Sequence, residues 1–291
     1  MKFAPTALAA LLFAAAPALA ARAAGPGVPE PSAAEWRTPD PETIMVIDTN
    51  KGRMIVELSP WAAPVNAERV RLLARQGFYD GLTFFRVIDD FMAQTGDPRN
   101  DGTGGSDALP DMAAEFTFRR GRDLPFTSFG RLPADNDTPS TTEVGFINGF
   151  AVRGAPQMQM MASADGKVPG WPLFCAGVLG MARSTQPDTA NSQFFIMRHT
   201  YPLLDGNYTV VGRVLGGPEV VRAIKTGEPV PDPRDVMTRV RMLADIPAAE
   251  RPKVQVLDTA GPAFKAMLEA ARAAGAGPAK ACDIAVPVRI G

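Results

Sequence analysis

The chain has 291 residues, enough for one large domain or two small ones, with 30 Lys and Arg against 31 Asp and Glu. That balance excludes the basic footprint of a nucleic-acid binder, and 46% hydrophobic with 8% aromatic residues is the make-up of an ordinary globular protein. His199 is the single histidine, which removes most histidine-based mechanisms, while 28 prolines and 27 glycines predict long, shaped loops.

Residues 1–20 read as a secretory signal: Lys2 supplies the charge, 7–16 the apolar run, and Ala18-Leu19-Ala20 a small-residue cleavage site. The run is too short and too alanine-rich to span a bilayer. Cleavage after Ala20, export to the periplasm and no lasting membrane insertion are therefore expected, and the absence of a cysteine after the run argues against a lipid anchor. Residues 21–41, rich in Ala, Pro and Gly, read as a disordered linker ahead of a domain at 42–260.

Within that domain, 43–48 and 53–58 are apolar runs around the turn Thr49-Asn50-Lys51-Gly52, a β-hairpin. A helix opens at Ala63-Pro64-Val65-Asn66, carries Val65, Val70, Leu72 and Leu73, and stops at Gly77. Residues 82–88 and 91–94 read as strands joined at Asp89-Asp90, and 178–182, 193–197, 208–214 and 253–257 as further strands. From 106 to 176 the pattern loosens into an insert punctuated by Pro110, Pro125, Pro133, Pro139, Pro156, Pro169 and Pro172. Met158, Met160 and Met161, near Trp171, suit either an adaptable extension of a binding groove or, the favoured reading, a satellite cluster covering the core.

After Ala260 the residues Phe264, Met267, Leu268 and Ala271 fall on one helical face that ends at Gly275, and 283–290 suit a terminal strand, so 261–291 reads as a docked extension. Cys175 and Cys282 are the only cysteines. In an oxidising compartment they either pair, tying this tail to the central domain, or remain two buried thiols. No internal repeat, phosphate loop, metal-ligand spacing or nucleophile elbow is present.

Residues 78–105 gather aromatics around one arginine. Arg86 stands among Phe84, Phe85 and Phe91, followed by Met92, Gln94 and the glycines 96, 102, 104 and 105. A charge set against apolar surface is costly unless it is used, so this block marks a site for something apolar with a polar edge. On the residues alone, Arg86 also suits a structural ion pair with Asp89, Asp90 or Asp97, and the apolar neighbours suit plain core packing.

A second block, 177–183 with 191–196, is followed by Leu203-Leu204-Asp205-Gly206 and the run to Gly212. The patterns FxRVIxxFMxQxGD, SQFFI, LDG and VVGRV in this order resemble the cyclophilin family of peptidyl-prolyl isomerases over 43–258, with phrasing similar to bacterial members. The resemblance implies a mainly β fold: a closed eight-stranded antiparallel barrel capped by two helices, the second at 218–226, with a groove on its outer face. Many short strands with turn signals independently suggest a barrel or sandwich.

It further implies an isomerase of proline-containing polypeptides, acting as a monomer without cofactor, metal or covalent step. Arg86 matches the catalytic arginine and Gln94 its positioning partner. Phe91, Met92, Phe195 and Leu204 match the pocket for the proline ring, and Ala182, Arg183 and Gln193 the groove, where the backbone of Ala182 and Arg183 would pair with an extended peptide. Four departures stand out: Phe85 in place of a histidine, Thr95 of a glycine, Leu203 of the tryptophan of drug-sensitive members, and Tyr208 of their histidine at the mouth of the proline pocket. Loss of the indole donor at 203 implies weak cyclosporin sensitivity, which tight nanomolar inhibition would refute. The alternatives are a non-catalytic peptide-binding or chaperone module on the same barrel and, on export alone, a structural envelope protein.

Overall fold

The first two apolar runs pair as β1 (Ile44–Thr49) and β2 (Gly52–Leu58) in a computed structural model that describes residues 30–134 and 140–291. The signal at 1–20 and the linker to 29 lie outside the described residues. Six more strands complete the main sheet: β3 (Arg86–Ile88), β4 (Met92–Thr95), β5 (Val178–Met181), β6 (Phe194–Met197), β7 (Val210–Gly216) and β8 (Met237–Met242). Their order is β8-β1-β2-β7-β5-β6-β4-β3, antiparallel throughout.

β1 shows why its sequence is apolar at successive positions. Met45 and Ile47 face the main core, while Ile44 and Val46 face Leu243, Ile246, Val254 and Val256 on the other side. A strand covered on both faces loses the usual alternation. Helices α1 (Pro64–Arg75) and α2 (Pro218–Ala223) close the main core with Val70, Leu73, Val220 and Val221. Ala63, at the N-cap of α1, has no side chain to offer the helix. Glu115 of the insert caps it instead, accepting from Val65 N at 3.1 Å and Asn66 N at 2.9 Å.

The eight strands do not close into the expected barrel. The outer edge of β3 is taken by a loop rather than by β8: Val87 and Gly227 exchange two hydrogen bonds of 2.8 Å, and Val230 N donates to Phe85 O at 2.9 Å. The chain before β3 meets β8 and the residues leading into it through the isolated bridge Thr83–Val236, flanking hydrogen bonds such as Phe84 N to Asp235 O, 2.9 Å, and Asp80, which accepts from Val240 N at 2.7 Å, rather than through a strand ladder. The result is an open half-barrel.

The insert is not loop. It holds a five-stranded antiparallel sheet, in spatial order Phe118–Arg120, Val168–Pro172, Phe150–Gly154, Thr142–Ile147 and Thr127–Leu132. Its strands escape a pattern search because Thr142–Ile147 is buried at every position and Val168–Pro172 contains two prolines. Met160 is buried, whereas Met158 and Met161 are exposed.

Residues 32–41, expected to be unstructured, are ordered as well. Trp36–Arg37 pairs with Val254–Leu257, which pairs in turn with Val288–Ile290. Trp36 is 8% exposed and Arg37 grips Glu57 at 2.6 and 2.8 Å, anchors hidden within a Pro- and Ala-rich stretch. The tail helix α3 (Pro262–Ala273) buries Phe264 and Leu268 against Phe129, Val144 and Phe146 of the insert. Cys175 and Cys282 are bonded, with Cα atoms 5.1 Å apart, and clamp the tail to the end of the insert.

Candidate active site

Strand register assembles the site. Arg86 on β3 lies opposite Gln94 on β4, and Gln94 lies opposite Phe195 on β6. Directly opposed residues share a sheet face, so an arginine, a glutamine and a phenylalanine form one row. With Phe91, Met92, Ala182, Arg183, Leu204 and Tyr208 they line a pocket of about 110 Å³. Met92, Phe195 and Leu204 are buried, and Arg86, at 36% side-chain exposure, stands at the edge.

A line of polar contacts runs across this row. Arg86 Nε donates to Glu228 Oε1 at 2.5 Å and Arg86 Nη1 to Gln94 Oε1 at 3.3 Å. Gln94 Nε2 donates to Gln193 Oε1 at 2.9 Å, and Gln193 Nε2 to the carbonyls of Gly102 (3.0 Å) and Gly104 (2.7 Å). Two of the carboxylates near Arg86 in sequence are engaged elsewhere: Asp89 pairs with Arg198 at 2.7 Å, and Asp97 accepts from the amides of Arg99, Asp101 and Gly102. The ion pair of Arg86 is thus with Glu228, not with Asp89 or Asp97.

The insert supplies the back of the pocket. Phe174 stacks on Phe195 with centroids 5.9 Å apart and meets Tyr208 edge-on at 6.5 Å. Phe118, Ile147, Phe150, Val152 and Phe174 belong to the same buried cluster as Met92, Phe195 and Leu204. The insert's part of this cluster is built from aromatic and aliphatic residues, not from Met158, Met160 and Met161, of which Met158 and Met161 are exposed. Gly180, opposite Phe195 on β5, leaves room for these rings. Asp205, next to Leu204, accepts from Phe174 N at 2.7 Å. Burial pushes its carboxyl up to about 7, although that amide and Arg153 pull the other way.

The remaining sequence-predicted residues divide. Gln193 lies outside the small pocket, in an adjoining cleft of about 470 Å³ that shares Gln94, Ala182 and Arg183 with it. Leu203 lines neither and is 72% exposed on the one-turn helix Pro202–Leu204. The Ala182 amide already donates to Gln193 O at 3.0 Å, which removes it from pairing with a peptide. Arg183 is held in place, its guanidinium 4.3 Å from the centroid of the Tyr208 ring and its Nη2 donating to Asn207 O at 3.0 Å.

The family model described as cyclophilin type peptidyl-prolyl cis-trans isomerase matches residues 44–243, from β1 through β8. The chain belongs to this family. Among similar curated proteins, a probable peptidyl-prolyl cis-trans isomerase of Brucella suis is 34% identical over 199 residues, covering 65% of this chain and 74% of its own. A putative one of Staphylococcus aureus strain USA300 is 34% identical over 176 residues, covering 60% and 77%. Among solved structures, cyclophilin AquaCyp293 from Hirschia baltica superposes with a TM-score of 0.77 at 32% identity, over 88% of this chain and 93% of its own. That likeness reaches beyond the segment matched by the family model.

This cyclophilin is a peptidyl-prolyl cis–trans isomerase, and two residues of its site escaped the sequence reading. Phe174 lay in the insert, where prolines obscured the strands. Glu228 lies in the loop 225–235, far from either motif block, and only the fold brings it to Arg86. No helix among the described residues is long and apolar enough to cross a membrane.

Proposed function

We propose that Arg86 accelerates X–Pro rotation by donating to the prolyl nitrogen while the proline ring sits in the pocket of Phe91, Met92, Phe195, Leu204 and Tyr208. The planar amide is held by a barrier of roughly 18–20 kcal/mol, whereas cis and trans differ by only about 0.5–1 kcal/mol. Twisting the bond out of plane breaks its resonance and leaves a lone pair on the nitrogen. A fixed cationic donor stabilises that state more than either planar one, which is catalysis by differential binding. Arginine suits the task because it is always charged and presents its donors in one plane. Gln94 orients the guanidinium, and the adjoining cleft with Arg183 and Gln193 takes the chain preceding the proline.

The observation that carries this reading is a guanidinium at the edge of an apolar, ring-sized pocket. The substrates are proline-containing segments of exported proteins, handled in the periplasm. The signal pattern at 1–20 and the compatibility of a disulfide with an oxidising compartment support that location.

The test is a proline-peptide isomerisation assay on wild type and Arg86→Ala, with peptide affinity measured separately. A loss of about 10²-fold or more in kcat/KM is expected. Equal rates would overturn the role of Arg86, and peptide binding without isomerisation in wild type would assign the barrel to a binding module. Retention of the chain in the cytoplasm on cell fractionation would overturn export.

A further inference from the structure

We propose that Glu228 is a positioning residue for Arg86: its carboxylate fixes the guanidinium plane so that the outer nitrogens face the proline pocket. This rests on the reading that Arg86 is the donor.

The contact is made at a particular atom. Glu228 accepts from Nε at 2.5 Å, while Gln94 reaches only Nη1, at 3.3 Å. One long hydrogen bond to a terminal nitrogen restrains the guanidinium only weakly against rotation about the Cδ–Nε bond. A second, shorter bond at Nε holds the plane against that rotation. Among the described residues nothing accepts from Nη2, so its donors stay available to a bound peptide.

The backbone around Glu228 is built to hold it there. Gly227 and Val87 exchange two hydrogen bonds and Val230 donates to Phe85 O, so residues on both sides of Arg86 grip residues on both sides of Glu228. A Cβ at Gly227 would stand 2.6 Å from Val230 Cα and 2.8 Å from Pro229 O, so this close return of the chain needs glycine. The loop is pinned further along as well. Arg234 donates to Val230 O at 2.9 Å and Asn100 O at 3.0 Å, and Asp235 accepts from Lys225 N at 2.7 Å.

Stability does not explain the pair. Arg86 and Glu228 are 36% and 54% exposed, and ion pairs in such settings add little to folding. What a carboxylate carried on a pinned backbone adds here is orientation, and misplacement of a reacting group by about 1 Å can cost as much as 10²-fold in rate.

The experiment compares Glu228→Ala and Glu228→Gln with wild type in the isomerisation assay, with peptide affinity by titration and the Arg86 Nε–H resonance by NMR. Glu228→Ala should lower kcat/KM about tenfold through kcat, leave the peptide Kd within about twofold, and shift the Nε–H signal to that of a solvated arginine. Glu228→Gln keeps an acceptor oxygen and should fall between. If Arg86→Ala is inactive but Glu228→Ala matches wild type, positioning fails while the donor role stands. If Arg86→Ala is itself fully active, the underlying reading fails. Faster turnover in Glu228→Ala would show that Glu228 competes with the peptide for Arg86 and would overturn the proposal.

Discussion

Gly180→Ala should separate activity from stability. A Cβ at Gly180 would lie 2.5 Å from Phe195 Cζ and 2.7 Å from Phe174 Cε1. Ordinary carbon contacts are about 3.5–4.0 Å, so the Phe195 ring must retreat by about 1 Å, towards a pocket of only about 110 Å³. The two rings lie nearly parallel, and Tyr208 edges both, so neither moves alone. The stability balance is close. Burying a methyl contributes about 0.8 kcal/mol and removing a strand glycine about 0.5–1 kcal/mol, against about 1–3 kcal/mol for overpacking. The melting temperature should thus move little while kcat/KM falls by 10-fold to 100-fold. Calorimetry and a proline-peptide assay on the same sample give both values. Isomerase activity within twofold of wild type, with Phe195 unmoved in the variant's structure, would refute the reasoning.

Three further outcomes are expected. Burial raises the Asp205 carboxyl in the folded chain to about 7 from 3.8, so its contribution to stability is fully present below pH 3.8 and is lost as pH rises to about 7. Asp205→Asn should therefore gain stability over wild type, on the order of 4 kcal/mol at most, as denaturation is followed from pH 4 to 8; a pH-independent difference would contradict this. Reducing Cys175–Cys282, whose loop spans 107 residues, should lower unfolding free energy by up to about 4–5 kcal/mol in guanidinium titrations, and unchanged midpoints with and without reductant would show that the clamp adds nothing. Glu115→Gln weakens a charged cap on α1 and should cost about 1 kcal/mol in thermal unfolding without altering peptide affinity.

The parts legible in the sequence were those whose pattern is local. The β1–β2 hairpin carries its turn residues and α1 its stop at Gly77, and the rows that form the pocket sit inside two motif blocks. β8 was missed because the register shifts between Met237 and Arg239, which breaks the alternation of its apolar residues. The insert's sheet was missed because one strand is buried throughout and another holds prolines. Trp36 and Arg37 were passed over because the composition around them is that of a linker. Glu228 and Phe174 have no local signature at all. Each acquires its place from a partner more than 20 residues away, Arg86 for one and Phe195 for the other, and such meetings are written only in the tertiary fold.

The contacts from Glu228 through Arg86, Gln94 and Gln193 to the Gly102 and Gly104 carbonyls link two loops across β3 and β4. They act as a crossbar. On the role proposed for Arg86, this crossbar opposes any motion that would turn the guanidinium with the twisting bond. Its stiffness is set by the protein's own contacts and not by the residues that flank the imide bond.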